Sequence, residues 1–99
     1  MNQPDEKFTR QTITDILPLT PSLFSFRCTR DDGFRFTAGQ FARLGVRSER
    51  GNLVWRAYSM VSSPYDEFLD FFSIVVPDGE FTSVLSRLKA GDELLIEKQ

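Results

Sequence analysis

An all-β fold is predicted, a six-stranded antiparallel Greek-key β-barrel with one capping α-helix, and three observations predict it. Short β-like runs separated by turn signals follow one another along the chain. Ten phenylalanines fall in only 99 residues, an aromatic excess suited to a β-rich core. A single segment carries apolar residues at helical spacing, and it stands before the last strand-like run.

Each element has a local reason. Strands are predicted near 8–17, 22–30, 42–47, 53–61, 68–76 and 93–97. Pro18 and Pro21 flank the turn between the first two, and Asp31-Asp32-Gly33 closes the second. Gly51-Asn52 separates the third from the fourth, Ser62-Ser63-Pro64-Tyr65-Asp66 reads as a loop, and Pro77-Asp78-Gly79 is a strong turn. The helix is expected to take Thr82 or Ser83 as N-cap, to present Val84, Leu85 and Leu88 inward, and to end at Lys89 before Gly91. It would plug one mouth of the barrel. Residues 1–7 are polar and expected to be loosely ordered, so 8–99 forms the one domain that a chain of this length supports.

Charge and composition narrow the function. A formal net charge of −2 argues against nucleic acid or an anionic membrane as the main partner. Residues 1–50 carry eight basic against six acidic side chains, and Arg35, Arg43, Arg47 and Arg50 lie close in sequence, either as a local basic patch or as separately solvated positions. With no histidine, the usual proton shuttle and metal ligand are missing, so hydrolytic triads and zinc sites are poor readings and no metal site is expected. Redox chemistry carried by a bound cofactor fits better. One cysteine, Cys28, allows no intrachain disulfide and reads as a small buried hydrophobe. No apolar run reaches the length of a membrane span, and the protein is expected to be cytoplasmic.

Two segments carry candidate chemistry. Arg56-Ala57-Tyr58-Ser59 places a fixed cation, an aromatic plane and a hydroxyl on one extended stretch, where Arg56 and Tyr58 would share one face and Ala57 and Ser59 the other. Arg56 lies in an almost uncharged run, so a buried guanidinium there would need an anion, and a phosphate offers bidentate geometry. An arginine reaching solvent or pairing with Asp70 remains an equal reading from spacing alone. The second segment, Gly79-Glu80-Phe81-Thr82, joins a tight turn to a helix start, a phosphate-favouring arrangement that is also common as plain structure. Between them, Phe68 to Val76 forms a nearly continuous apolar strand with both faces expected to be covered, one by core and the other by a ligand or more core.

Five segments in order and spacing, Thr37-Ala38-Gly39-Gln40-Phe41, Trp55-Arg56-Ala57-Tyr58-Ser59, Phe71-Phe72-Ser73-Ile74, Pro77-Asp78-Gly79-Glu80-Phe81-Thr82-Ser83 and Leu88-Lys89-Ala90-Gly91-Asp92, resemble the FAD-binding domain of the bacterial ferredoxin (flavodoxin)–NADP reductases over about residues 8–97. The resemblance implies an oxidoreductase in which FAD passes electrons between NADPH and a small carrier, ferredoxin or flavodoxin. It implies that Arg56 contacts the FAD pyrophosphate, that Tyr58 packs on the isoalloxazine, and that Ser59 hydrogen-bonds near flavin N5, which makes Tyr58 and Ser59 the catalytic pair. It further implies that Ala57, Phe72, Ser73 and Ile74 line the cofactor, and that Thr82 and the backbone of Glu80 and Phe81 cradle the pyrophosphate, the Glu80 side chain turning to water. The family's NADP(H)-binding domain has no counterpart in these 99 residues, so the chain by itself is expected to lack turnover and to hold FAD weakly. The reading from another class is a non-catalytic barrel that binds a nucleotide or a protein.

Overall fold

The computed structural model describes residues 7–74 and 79–98. In chain order the elements are β1 (Phe8–Pro18), β2 (Leu23–Thr29), β3 (Phe41–Arg47), β4 (Leu53–Ser59), β5 (Phe68–Ile74), α1 (Glu80–Leu85) and β6 (Glu93–Glu97). The strands fall within a residue or two of their sequence limits, because local turn chemistry sets them. Thr20 stops the first hairpin by accepting the N–H of Leu23 on its hydroxyl at 3.0 Å. Gly51, at φ 85°, turns the β3–β4 hairpin in a conformation that other residues rarely adopt. Residues 1–6 of the expected flexible N-terminus 1–7, the strand end at Val75 and Val76, and the turn residues Pro77 and Asp78 lie outside the described residues.

The helix differs from the sequence expectation. Gly79 is its N-cap and makes no side-chain cap hydrogen bond, and the helix runs only from Glu80 to Leu85. Thr82 is therefore inside the first turn instead of capping it, and it is buried with Phe81 and Leu85. Burial of that face wins over the cap that a threonine could offer. Val84 and Leu88 pack against the core from its margin. Beyond Leu85 the backbone tightens into three-residue turns, Arg87 N–H to Val84 C=O and Leu88 N–H to Leu85 C=O, so the helix ends before Lys89.

The six antiparallel strands form one curled sheet in the order β4-β3-β6-β1-β2-β5. The non-sequential neighbours, β6 between β3 and β1 and β5 beside β2, follow from Greek-key winding. Inside the curl lie Ile13, Phe24, Phe26, Leu44, Leu69, Phe71, Leu94 and Ile96, with α1 across one end. Phe26 and Phe71 stack with ring centroids 5.2 Å apart across β2 and β5. The barrel is open, because β4 and β5 stand at opposite ends of the strand order and share no ladder.

Outside the curl, Trp55 packs on β3. Gly45 pairs with Trp55, and a Cβ on Gly45 would come within 2.8 Å of the indole, so only glycine lets the ring lie flat on β3. Phe8 and the Arg43 guanidinium flank that indole. The arginines considered as a basic patch are engaged singly: Arg43 pairs with Glu97 at 2.8 Å, Arg47 donates to the Gly51 carbonyl, and Arg35 to that of Asp32.

Candidate functional site: the open seam between β4 and β5

Among the described residues the two edge strands are linked at one end and leave a slot at the other. Past the end of β4, the Val61 N–H donates to the Asp70 carbonyl at 2.9 Å, and the Asp70 N–H donates to Ser62 Oγ at 3.1 Å. Next comes a side-chain link, Tyr58 Oη to Ser73 Oγ at 2.9 Å. Beyond it the seam widens into a slot of about 380 Å³ lined by Leu23, Arg56, Ala57, Tyr58, Phe72, Ser73 and Ile74.

Register explains which side chains reach the slot. Arg56 and Tyr58 pair with Leu44 and Ala42, both buried, so they share the concave face, while Ala57 and Ser59 pair with exposed Arg43 and Phe41 on the convex face. This is the division that strand alternation predicts. Arg56 is nevertheless exposed, and among the described residues no strand covers β4 at that point. Water therefore solvates the guanidinium, and the cost of burying it unpaired does not arise. Among the described residues Arg56 makes no hydrogen bond or ion pair. Asp70, its candidate structural partner, is taken by Arg27 in a bidentate pair at 2.8 and 3.0 Å, with the guanidinium stacked 3.6 Å over the Phe68 ring.

On β5 the alternation is cleaner than the sequence suggested. Leu69, Phe71 and Ser73 are buried, while Phe72 and Ile74 are 49% and 61% exposed. The second face of this strand is thus uncovered, an apolar surface at the lip of the slot. Tyr58 is buried against Phe26, Phe71 and Phe81, with ring centroids 6.0, 6.4 and 5.6 Å away. Burial disfavours the phenolate and pushes the Tyr58 hydroxyl pKa above its ordinary value, and the Ser73 hydrogen bond and the Arg56 charge only partly offset that.

The other sequence candidates sit around the slot without lining it. Ser59, exposed on the convex face, donates its hydroxyl to the Gly39 carbonyl at 3.3 Å. Phe81 reaches the site through its ring contact with Tyr58. The Thr82 side chain is buried at the start of α1. Because the first intrahelical bond runs from the Ser83 N–H to the Gly79 carbonyl, the amides of Glu80 and Phe81 precede it. The Glu80 side chain lies outside the described residues. Leu23 and Ser62 belong to the seam and carry no sequence signal, since Leu23 is placed by β2 pairing with the distant β5 and Ser62 by a single bond from the Asp70 N–H. Among the described residues no helix is long and apolar enough to cross a membrane, and no three His, Cys, Asp or Glu residues gather as a metal site.

Comparison with known proteins agrees with this geometry. Residues 15–98 match the oxidoreductase FAD-binding domain family. A ferredoxin–NADP reductase of Pseudomonas aeruginosa is 50% identical over 78 residues, 79% of this chain and 30% of that protein. A flavodoxin/ferredoxin–NADP reductase of Rhodobacter capsulatus is 43% identical over 86 residues, 87% of this chain and 32% of that protein. The crystal structure of a ferredoxin NADP+ reductase from Neisseria gonorrhoeae with bound FAD and NADP superposes at a TM-score of 0.90 and 37% identity, over 96% of this chain and 38% of that one. A Malassezia yamatoensis flavohemoglobin shares the fold alone, at a TM-score of 0.85 and 18% identity over 95% of this chain and 25% of that one. The chain spans about a third of the length of the curated relatives it matches. An all-β unit that leaves a seam open between its edge strands, and a match over residues 15–98, lead to one conclusion: the chain belongs to the oxidoreductase FAD-binding domain family.

Proposed function

We propose that residues 8–99 form the FAD-binding unit of a ferredoxin/flavodoxin–NADP(+) reductase and that FAD lies along the β4–β5 slot. One observation carries the placement: an exposed Arg56, with no hydrogen bond or ion pair among the described residues, stands in the same slot as the uncovered apolar side chains Phe72 and Ile74. A flavin dinucleotide joins an anionic pyrophosphate to a flat apolar ring system, so one ligand suits both halves of that surface. The residues present fit the cofactor.

In this reading Arg56 receives the pyrophosphate with paired N–H donors, and the charge-assisted bonds hold it against solvent competition. The backbone at Glu80 and Phe81 and the Thr82 hydroxyl are the further phosphate contacts that the resemblance assigns, and α1 would have to yield the buried Thr82 for that contact. Phe72 and Ile74 exclude water from one side of the ring system, Ala57 admits it closely, and Tyr58 bounds it at the closed end of the slot. Ser59, which the resemblance sets near flavin N5, lies on the convex face with its hydroxyl on the Gly39 carbonyl, so β4 would have to bend at its end for Ser59 to reach the ring. Bound FAD would supply the centre that exchanges hydride with a nicotinamide and single electrons with ferredoxin or flavodoxin. The protein supplies orientation and electrostatics. A single cysteine with no disulfide partner accords with the cytoplasm as the place of that exchange.

Titration with FAD, followed by flavin fluorescence, tests the reading. Saturable binding with a yellow product is expected. An unchanged signal up to millimolar FAD would overturn it in favour of a barrel that binds something else.

A further inference from the structure

The seam has an internal logic that the cofactor reading does not use. Among the described residues three links close it in sequence, the backbone bond from Val61 to Asp70, the bond from Asp70 to Ser62, and the Tyr58–Ser73 bond, and after the third the slot begins. The first two use the main chain of Asp70. Only the third is made wholly by side chains, and both its partners are buried, Tyr58 at 9% and Ser73 at 3% exposed.

Ser73 is the odd member of its row. The neighbouring core-facing positions of β5 are Leu69 and Phe71, and burying a hydroxyl beside them is unfavourable unless it is hydrogen-bonded. The Ser73 hydroxyl also approaches the Ile74 carbonyl at 3.4 Å. If Ser73 donates there, the Tyr58 hydroxyl donates to Ser73 Oγ, and every polar atom of the pair is satisfied. Tyr58 then has no proton left to offer a ligand.

We propose that Ser73 is a positioning residue: by sharing a hydrogen bond with the Tyr58 hydroxyl across two strands that share no ladder, it sets where the seam stops closing and fixes the Tyr58 ring as the end wall of the cofactor slot. The proposal rests on the reading of the slot as the FAD site. It gives Ser73, implied by resemblance to line the cofactor, a role exerted through Tyr58.

Three variants test it in the protein: Ser73→Ala and Tyr58→Phe, which remove the bond from either side, and Ser73→Thr, which keeps a hydroxyl. Ser73→Ala and Tyr58→Phe should each raise the FAD dissociation constant about tenfold, as the loss of one buried hydrogen bond does. The double variant should be no weaker than the worse single one. Ser73→Thr should restore binding to within about twofold, and the bound-flavin absorbance should shift toward that of solvated flavin in Ser73→Ala and Tyr58→Phe but not in Ser73→Thr. Without FAD, amide hydrogen exchange should quicken at Arg56–Ser59 and Phe72–Ile74 in Ser73→Ala and stay unchanged in the β1–β6 ladder. Parental FAD affinity with parental exchange in Ser73→Ala, additive single effects, or no rescue by Ser73→Thr would overturn the proposal. Should Ser73→Ala fail to fold, Tyr58→Phe decides by the same two readouts. A parent that binds no FAD overturns the cofactor reading alone, and the exchange comparison still decides the clasp.

Discussion

The two sides of this sheet are held by different means. From β3 through β6, β1 and β2 to β5, every strand is tied to its neighbour by a backbone ladder whose inward face is almost wholly apolar. Between β4 and β5 there is no ladder, and the contact rests on two backbone amides, one pair of hydroxyls and a few rings. Ladders are indifferent to the side chains that they carry, so the paired side can be built from any apolar set of the right volume. The seam depends on named side chains, and that dependence leaves it open to a ligand.

If this contrast holds, a truncation in the laddered side should damage the fold. Phe26→Ala removes a buried ring that stacks on Phe71 and meets Tyr58 edge-on. It should destabilise the protein by about 3–5 kcal/mol, measured by urea unfolding. A loss under 1 kcal/mol would mean that the core can collapse around the gap and that the two sides differ less than their bonding suggests.

At the seam the ranking reverses. Arg56→Ala should weaken FAD binding by about 1.5–3 kcal/mol, the range for a hydrogen bond to a charged group, and leave the unfolding midpoint where it was, since the guanidinium is already solvated. Unfolding of this variant, or parental FAD affinity, would remove Arg56 from the site.

Cys28 sharpens the comparison from the laddered side through pH. Burial, with the nearby Asp70 charge adding to it, pushes the thiol up to about 12. In the unfolded chain it ionises near its ordinary value of about 8.5. Below that value both states hold the proton and the group contributes nothing to pH dependence. Above it the unfolded state binds fewer protons, so stability falls by about 1.4 kcal/mol per pH unit until the folded thiol also ionises. Unfolding titrations between pH 8 and 10 should show that slope developing, and Cys28→Ala should flatten it. An unchanged slope in the variant would place the alkaline loss elsewhere.

The smallest effect concerns the lip. Phe72→Ser should change stability by no more than about 0.5 kcal/mol, as for an exposed position, while weakening FAD by roughly 1 kcal/mol for the apolar area left uncovered. A variant that binds FAD like the parent would put the flavin ring off this face.

The strands were legible in the sequence because turns are local: Pro18, Pro21 and Gly51-Asn52 act through their own backbones. The division of Arg56 and Tyr58 from Ala57 and Ser59 was legible for the same reason, since alternation is a property of one strand. Three features were not. The helix start at Gly79 was hidden because burial of the Phe81–Thr82–Leu85 face overrides capping preference. The exposure of Arg56 was hidden because it depends on β4 being an edge, and strand order is decided by pairings far apart in the chain. The loss of Asp70 to Arg27 likewise depends on β2 meeting β5, although two opposite charges in otherwise apolar strands are a signal that could have matched them.

The indole lying on Gly45 has a use beyond packing. Trp55 is the chain's only tryptophan and precedes Arg56 directly, yet register turns the two to opposite faces of one strand. A fluorophore is thereby held rigidly behind the slot and out of contact with whatever enters it. Its emission overlaps flavin absorption, so occupancy of the slot can be followed as energy transfer through the thickness of a single strand, with no added label and no probe in the binding surface.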